Sequence, residues 1–156
     1  MRLALLVACF GVLLISCGPE PKSSPAGPAK VEDRKPADES RRFPKVNLVD
    51  TEVVAKNIMG KSFMPGGTLS HYQKGAMSYS MFLAKLPTAT DAALLLLDWN
   101  KALTGARLIP SFGGYFGRDA AVPVFVFSKG AWIAGVAGLP EKEADRQART
   151  LAAHLD

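Results

Sequence analysis

Apolar and polar positions divide this chain into three stretches of different texture. Leu3 to Leu13 is an almost unbroken apolar run, led by Met1-Arg2 and followed by Leu14-Ile15-Ser16-Cys17-Gly18. Residues 18–45 are then polar and proline-rich, with Val31 and Phe43 as the only large apolar side chains. From Val46 onward apolar residues return in periodic blocks.

Those blocks predict a series of elements. Asp50 or Thr51 can cap a short helix running to about Met59, with Val54 and Ile58 on one face and Gly60 at its end. Val53-Val54 suits a strand equally well. Pro65-Gly66-Gly67 predicts a turn, and Thr68–Gln73 and Met77–Leu86 predict two strands joined at Lys74-Gly75. Residues 88–103 predict a helix: Thr88 and Asp91 have capping-box spacing, and Leu95, Leu96, Trp99 and Leu103 share a face. Short strands at Ala106–Phe112 and Tyr115–Arg118 flank Gly113-Gly114. A hairpin follows, Val122–Ser128 and Ala131–Leu139, turning at Lys129-Gly130. Pro140 opens a last helix with Ala144, Ala148, Leu151, Ala152 and Leu155 in a narrow apolar stripe. Glu141 and Glu143 sit near its positive end, and Asp145 and Arg149 are four apart.

The pattern predicts one α+β domain over residues 46–156, a two-layer antiparallel sheet with helices on one face. Strand, Lys-Gly-Ala turn, strand, Leu-Pro and helix occur twice, at Lys74-Gly75-Ala76 with Leu86-Pro87 and at Lys129-Gly130-Ala131 with Leu139-Pro140. This order leaves a duplicated ββα unit open. Leu94–Leu97, four consecutive leucines, predict a first helix buried on more than one side; a partner or lipid-like surface is the competing reading.

The N-terminus has the layout of a secretory signal: positive charge, a short apolar core, then a small residue. A spanning helix needs about 20 apolar residues, whereas Leu3–Ser16 ends abruptly at Pro19, Glu20, Pro21 and Lys22. The tetrad Leu14-Ile15-Ser16-Cys17 resembles the lipobox of bacterial lipoproteins. The resemblance implies a signal peptide over residues 1–16, cleavage between Ser16 and Cys17, and a lipid on the Cys17 sulfur. Two or three acyl chains would then hold the protein stably on the membrane. Gly18, where enterobacterial lipoproteins retained at the inner membrane carry aspartate, favours the periplasmic side of the outer membrane by the same resemblance. Leu6-Val7-Ala8-Cys9 also fits loosely but leaves too short an apolar core.

After the lipidated cysteine, residues 17–45 read as a disordered tether. Pro19, Pro21, Pro25, Pro28, Pro36 and Pro44 and the scarcity of apolar side chains leave too little surface to bury. A flexible coil of that length reaches about 30 Å. The net charge of +5 is spread thinly, with seven Lys/Arg against five Asp/Glu over residues 18–45 and eleven against nine over residues 46–156. Such a balance lacks the clustered basic face of a nucleic-acid binder. Cys9 leaves with the signal, so Cys17 is the sole mature thiol; an internal disulfide or cysteine metal site is excluded.

Chemistry is sparse in the rest. His71, with Met77 and Met81, offers imidazole and thioether donors of the kind that suit Cu(I), a faint resemblance to periplasmic copper-chaperone lipoproteins. With Lys74-Gly75 as the turn, however, His71 faces Ser78 and points away from Met77, and methionine commonly fills core gaps. His154 suits the negative end of the last helix. Ser70-His71 is no dyad, because strand neighbours point to opposite faces, and no hydrolase or nucleotide motif occurs. The segment Gly113–Asp119 is the remaining candidate: glycines allow close approach, Tyr115 and Phe116 could stack on a ligand, and Arg118 could grip an anion. Val124–Leu155 looks similar to uncharacterised secreted bacterial α+β domains, a resemblance that carries no catalytic residue with it. The expectation is a lipid-anchored cell-envelope domain, non-enzymatic and without a cofactor, acting as a binding or structural accessory. Its partners would be the membrane and an envelope protein; a small-ligand or copper-binding module is the alternative.

Overall fold

In the computed structural model, which describes residues 35–156, a 3₁₀ turn at Ser40–Arg42 precedes β1 (Leu48–Lys56). A second 3₁₀ turn, Ile58–Gly60, leads to β2 (Pro65–Lys74), β3 (Met77–Lys85) and α1 (Ala89–Ala102). The chain continues through β4 (Thr104–Ile109), β5 (Gly114–Asp119), β6 (Val122–Lys129), β7 (Trp132–Ala137) and α2 (Glu141–Ala152). The fold is α+β: the seven strands form one antiparallel sheet in the order β1-β2-β3-β7-β6-β5-β4. The expected signal peptide over residues 1–16, with Ser16 and Cys17, and the first part of the expected tether lie outside the described residues.

Strand alternation sends successive side chains to opposite faces, and both faces of the central strands are apolar. Met81 and Leu83, Phe125 and Phe127, and Ala134 and Val136 join Ala144, Ala148 and Leu151 of α2 in one core. Phe82 and Ala84, Val124 and Val126, and Ile133 and Ala137 join Leu96 and Trp99 of α1 in a second. The helices therefore cover opposite faces, giving three layers, which corrects the expected two-layer arrangement with both helices on one face. The cause lies at the Leu-Pro junctions. After β3 the alternation continues, and Leu86 packs on the α1 side like Ala84 two residues before it. After β7, Gly138 takes φ +97°, and Leu139 turns into the α2-side core although Ala137 faces α1. The two junctions resemble each other in sequence but are not equivalent in space.

Three local expectations also shift. Of the helix and the strand left open around residues 51–59, the strand forms as β1: Thr51, Val53 and Val54 suit a pleated ladder, and Asp50 to Lys56 pair with β2. A bulge between Leu48 and Asp50 leaves Val49 65% exposed and returns Leu48 to the α2 side with Tyr72. The hairpin loops are Gly75-Ala76 and Gly130-Ala131, one residue later than predicted, since Lys74 pairs with Met77 and Lys129 with Trp132. Pro65-Gly66-Gly67 opens β2 instead of turning. A Cβ on Gly66 would lie 2.1 Å from the Ala55 carbonyl oxygen and 2.4 Å from Pro36, so glycine there admits a crossing segment.

That crossing segment is Lys35–Lys45, assigned by composition to the tether but folded as a strap over the α2 side. Phe43 is 1% exposed within the α2-side core. The Glu39 amide donates to Thr68 Oγ1 at 3.1 Å, and the Tyr72 hydroxyl donates to the Pro44 carbonyl at 2.9 Å. Arg42 lies 4.7 Å over Trp132 and donates to the His154 carbonyl at 2.9 Å, while His154 Nδ1 contacts the Arg42 carbonyl at 3.0 Å. The folded unit thus starts before residue 46, because one aromatic anchor and a few backbone bonds suffice to hold a polar segment. On α1, Thr88 caps the helix as predicted, accepting from the Asp91 amide at 3.1 Å. Of the four leucines, Leu96 is buried and Leu95 is packed, but Leu94 and Leu97 face outward.

Candidate functional site

α1 lies over β4 to β7, and the turn carrying Ile58 and Met64 covers the middle of the same face. Lys61 pins that turn: its Nζ donates to Asp119 at 2.6 Å and lies 5.8 Å from the centre of the Trp99 ring. What stays uncovered is the hairpin end of β1, β2 and β3, a groove of ≈ 510 Å³ bordered by Met59, Val122 and Gly138. That volume lies within the range of small-molecule sites. The strand registers lay Asp50, His71, Ser80 and Ala137 side by side in one row across four strands.

His71 is the centre of this row. Its Nδ1 is 3.2 Å from Ser80 Oγ, and its Nε2 is 3.5 Å from Glu52 Oε1. A carboxylate only accepts, so the consistent tautomer carries its proton on Nε2, toward Glu52, and accepts from the Ser80 hydroxyl on Nδ1. Beyond His71, Ser78 Oγ donates to Gln73 Oε1 at 2.6 Å. The groove therefore offers a hydroxyl, an imidazole and carboxylates on a rigid sheet floor, with apolar walls. Serine, imidazole and carboxylate in line also have the order of a nucleophile–base–acid relay. Stabilising an oxyanion needs donors aimed at it, but Ser80 and the following Met81 lie within strand pairing, Ser80 with His71 of β2 and Met81 with Val136 of β7.

The opposite face shows how differently the same strands are treated there. Tyr72 and Tyr79 stack at 4.8 Å beneath the strap. Burial pushes both phenols above their ordinary range; the Tyr72–Tyr79 proximity adds to this for Tyr72, and Glu143 adds to it for Tyr79.

The residues singled out from sequence are not brought together. Gly113–Asp119 is mostly strand β5, whose alternation splits the trio. Tyr115 packs on the α1 side opposite Val126, Phe116 on the α2 side opposite Phe125, and the exposed Arg118 reaches back to the Ala121 carbonyl at 3.5 Å. Met81 is fully buried in the α2-side core, and Met77 lies four strand residues before it on that same side. His71 lies on the other, so the three do not form one ligand set. Met64 is a core residue whose sulfur accepts from Trp99 Nε1 at 3.1 Å. Among the described residues, no group of three or more His, Cys, Asp and Glu side chains could hold a metal ion, and no helix is long and apolar enough to cross a membrane. The His71–Ser80 pairing was one residue away from being read: moving the loop to Gly75-Ala76 exchanges Ser78 for Ser80. Glu52 was hidden because helix and strand both stayed open there, and only the strand places it beside His71.

Comparison with protein-family models, curated proteins and solved structures finds no match to this chain.

Proposed function

We propose that this chain is a lipid-anchored cell-envelope protein whose folded domain binds a ligand or partner in the groove around His71, without catalysis. The anchor rests on Leu14-Ile15-Ser16-Cys17 after a short apolar run, with Gly18 favouring the periplasmic side of the outer membrane. The binding reading rests on one observation: the Asp50–His71–Ser80 row is left open on a concave floor, while the strap and α2 close the other face of the domain.

Each half has its own test. Cys17→Ser should release the protein from membranes and abolish palmitate labelling; a variant still bound to membranes removes the anchor. A photo-crosslinking residue at Gln73, beside the groove, should give adducts in intact envelopes that weaken on His71→Ala. Equal labelling from Lys142 on the outer side of α2 would remove the groove from the proposal.

The relay order of Ser80, His71 and Glu52 favours a second reading, an ester or amide hydrolase. Activated ester substrates test it: turnover lost on Ser80→Ala would establish it, and the strand pairing of Ser80 and Met81 leads us to expect none. Copper binding loses Met77 and Met81 as partners of His71. Titration with Cu(I), with His71→Ala as control, is expected to show no stoichiometric site.

A further inference from the structure

Among the described residues the sheet ends in two edge strands of different character. β4 is six residues long, breaks register between Thr104 and Arg107, holds Gly105 at φ +63° and runs into Pro110. Short length, irregularity and proline are the devices that keep an edge from pairing with another chain. β1 is nine residues long, has no proline and is regular from Asp50 to Lys56 once past the bulge at Val49.

The phase of its free backbone groups follows from the β2 ladder. The Asn57 amide donates to the Met64 carbonyl at 3.1 Å, and Ala55, Val53 and Thr51 share its phase, since antiparallel pairs alternate. Asp50, Glu52, Val54 and Lys56 therefore point their N–H and C=O groups away from the sheet. The same four side chains stand on the groove face, in the row position that Asp50 shares with His71.

We propose that this edge pairs with β1 of a second copy of the chain, antiparallel about a twofold axis through Val53, joining the two seven-stranded sheets into one. Charge selects the register. Matching free groups to free groups allows twofold centres at Thr51, Glu52, Val53, Val54 or Ala55. A centre at Thr51 opposes Asp50 with Glu52, and one at Glu52 opposes Glu52 with itself; like charges directly opposite are unfavourable. A centre at Val54 pairs only Glu52 to Lys56, and one at Ala55 only Val54 to Lys56. A centre at Val53 pairs all of Asp50 to Lys56, sets Asp50 opposite Lys56 at both ends, Glu52 opposite Val54, and Val53 against itself. Glu52 keeps its place beside His71, and the two grooves come to lie side by side on one face.

Cysteine crosslinking of the full chain, in a background with Cys9 and Cys17 replaced by Ser, reads the register directly. Val53 meets its copy at a non-hydrogen-bonded position, where Cα atoms stand about 4.5 Å apart, within disulfide range. Val53→Cys should give a covalent dimer under mild oxidation. Thr51→Cys and Ala55→Cys should each stay monomeric alone and crosslink when mixed. No Val53→Cys dimer, or self-crosslinking of Thr51→Cys as fast as the mixture, would overturn the proposal, as would a Val53→Cys adduct with a foreign protein alone. Sedimentation gives an independent reading in the same background. Asp50→Lys and Lys56→Asp should each raise the dimer dissociation constant about tenfold or more, with unchanged circular dichroism. The double exchange Asp50→Lys with Lys56→Asp should restore it. A double variant as weak as the singles would overturn the register and with it the proposal.

Discussion

At Gly138 the backbone takes φ +97°, and a Cβ there would stand 3.2 Å from the Ser78 carbonyl oxygen. Gly75 also has positive φ, +59°, but a Cβ there meets nothing within 4 Å. Left-handed strain alone costs about 1 kcal/mol or little more for alanine, and crowding against a carbonyl adds to it. Gly138→Ala should therefore lose about 2–3 kcal/mol in denaturant unfolding, and Gly75→Ala about 1; equal losses would show that the junction does not steer Leu139. The tyrosine pair makes a pH prediction. Both phenols are raised above the ordinary value of 10.0, so the folded state holds these protons where the unfolded state releases them. Stability is then unaffected below about pH 10 and falls as pH rises further. Absorbance at 295 nm should show Tyr72 and Tyr79 ionising together with unfolding. Tyr72→Phe should flatten that alkaline loss while giving up the bond to Pro44 at neutral pH.

The elements differ in how far sequence alone reveals them. α1, α2 and the β6–β7 hairpin were legible because their signals are local: Thr88 and Asp91 at one helix start, the alanine stripe from Ala144, Gly130 in a two-residue loop. β1 was not, because Asp50 and Thr51 mimic a helix start, and only pairing with β2 decides otherwise. The layering was not legible either. Alternation assigns Met81 and Phe82 to opposite faces but does not say which helix each face receives, and the deciding residue, Gly138, is a conformation and not a pattern. The candidate site failed for the same kind of reason, since a one-residue loop shift and a strand left undecided against a helix hid two of the partners of His71. The strap was hidden by composition, as prolines and charges outweigh the single aromatic Phe43. Removing that anchor should cost about 3–5 kcal/mol on Phe43→Ala, with faster amide exchange at Glu39 and Phe43; a loss below about 1 kcal/mol would return the strap to the tether.

For the whole molecule, the sheet falls into two runs of sequential hairpins, β1-β2-β3 and β4-β5-β6-β7. One pairing joins them, Ser80–Lys85 of β3 against Trp132–Ala137 of β7. Each hairpin closes over a short loop, while this seam must bring together strands separated by α1, β4, β5 and β6. Long-range closure is slow because its chain entropy is lost before contacts repay it. The seam is expected to be formed in the folding transition state and the strap to dock after it. In stopped-flow experiments Val136→Ala should chiefly slow refolding, and Phe43→Ala should chiefly speed unfolding; the reverse assignment would place the strap in the nucleus. Until the seam closes, β7, whose residues are all buried in the finished fold, is a bare apolar edge. The same pairing that makes one sheet of two halves therefore sets the interval during which a newly made chain is open to aggregation.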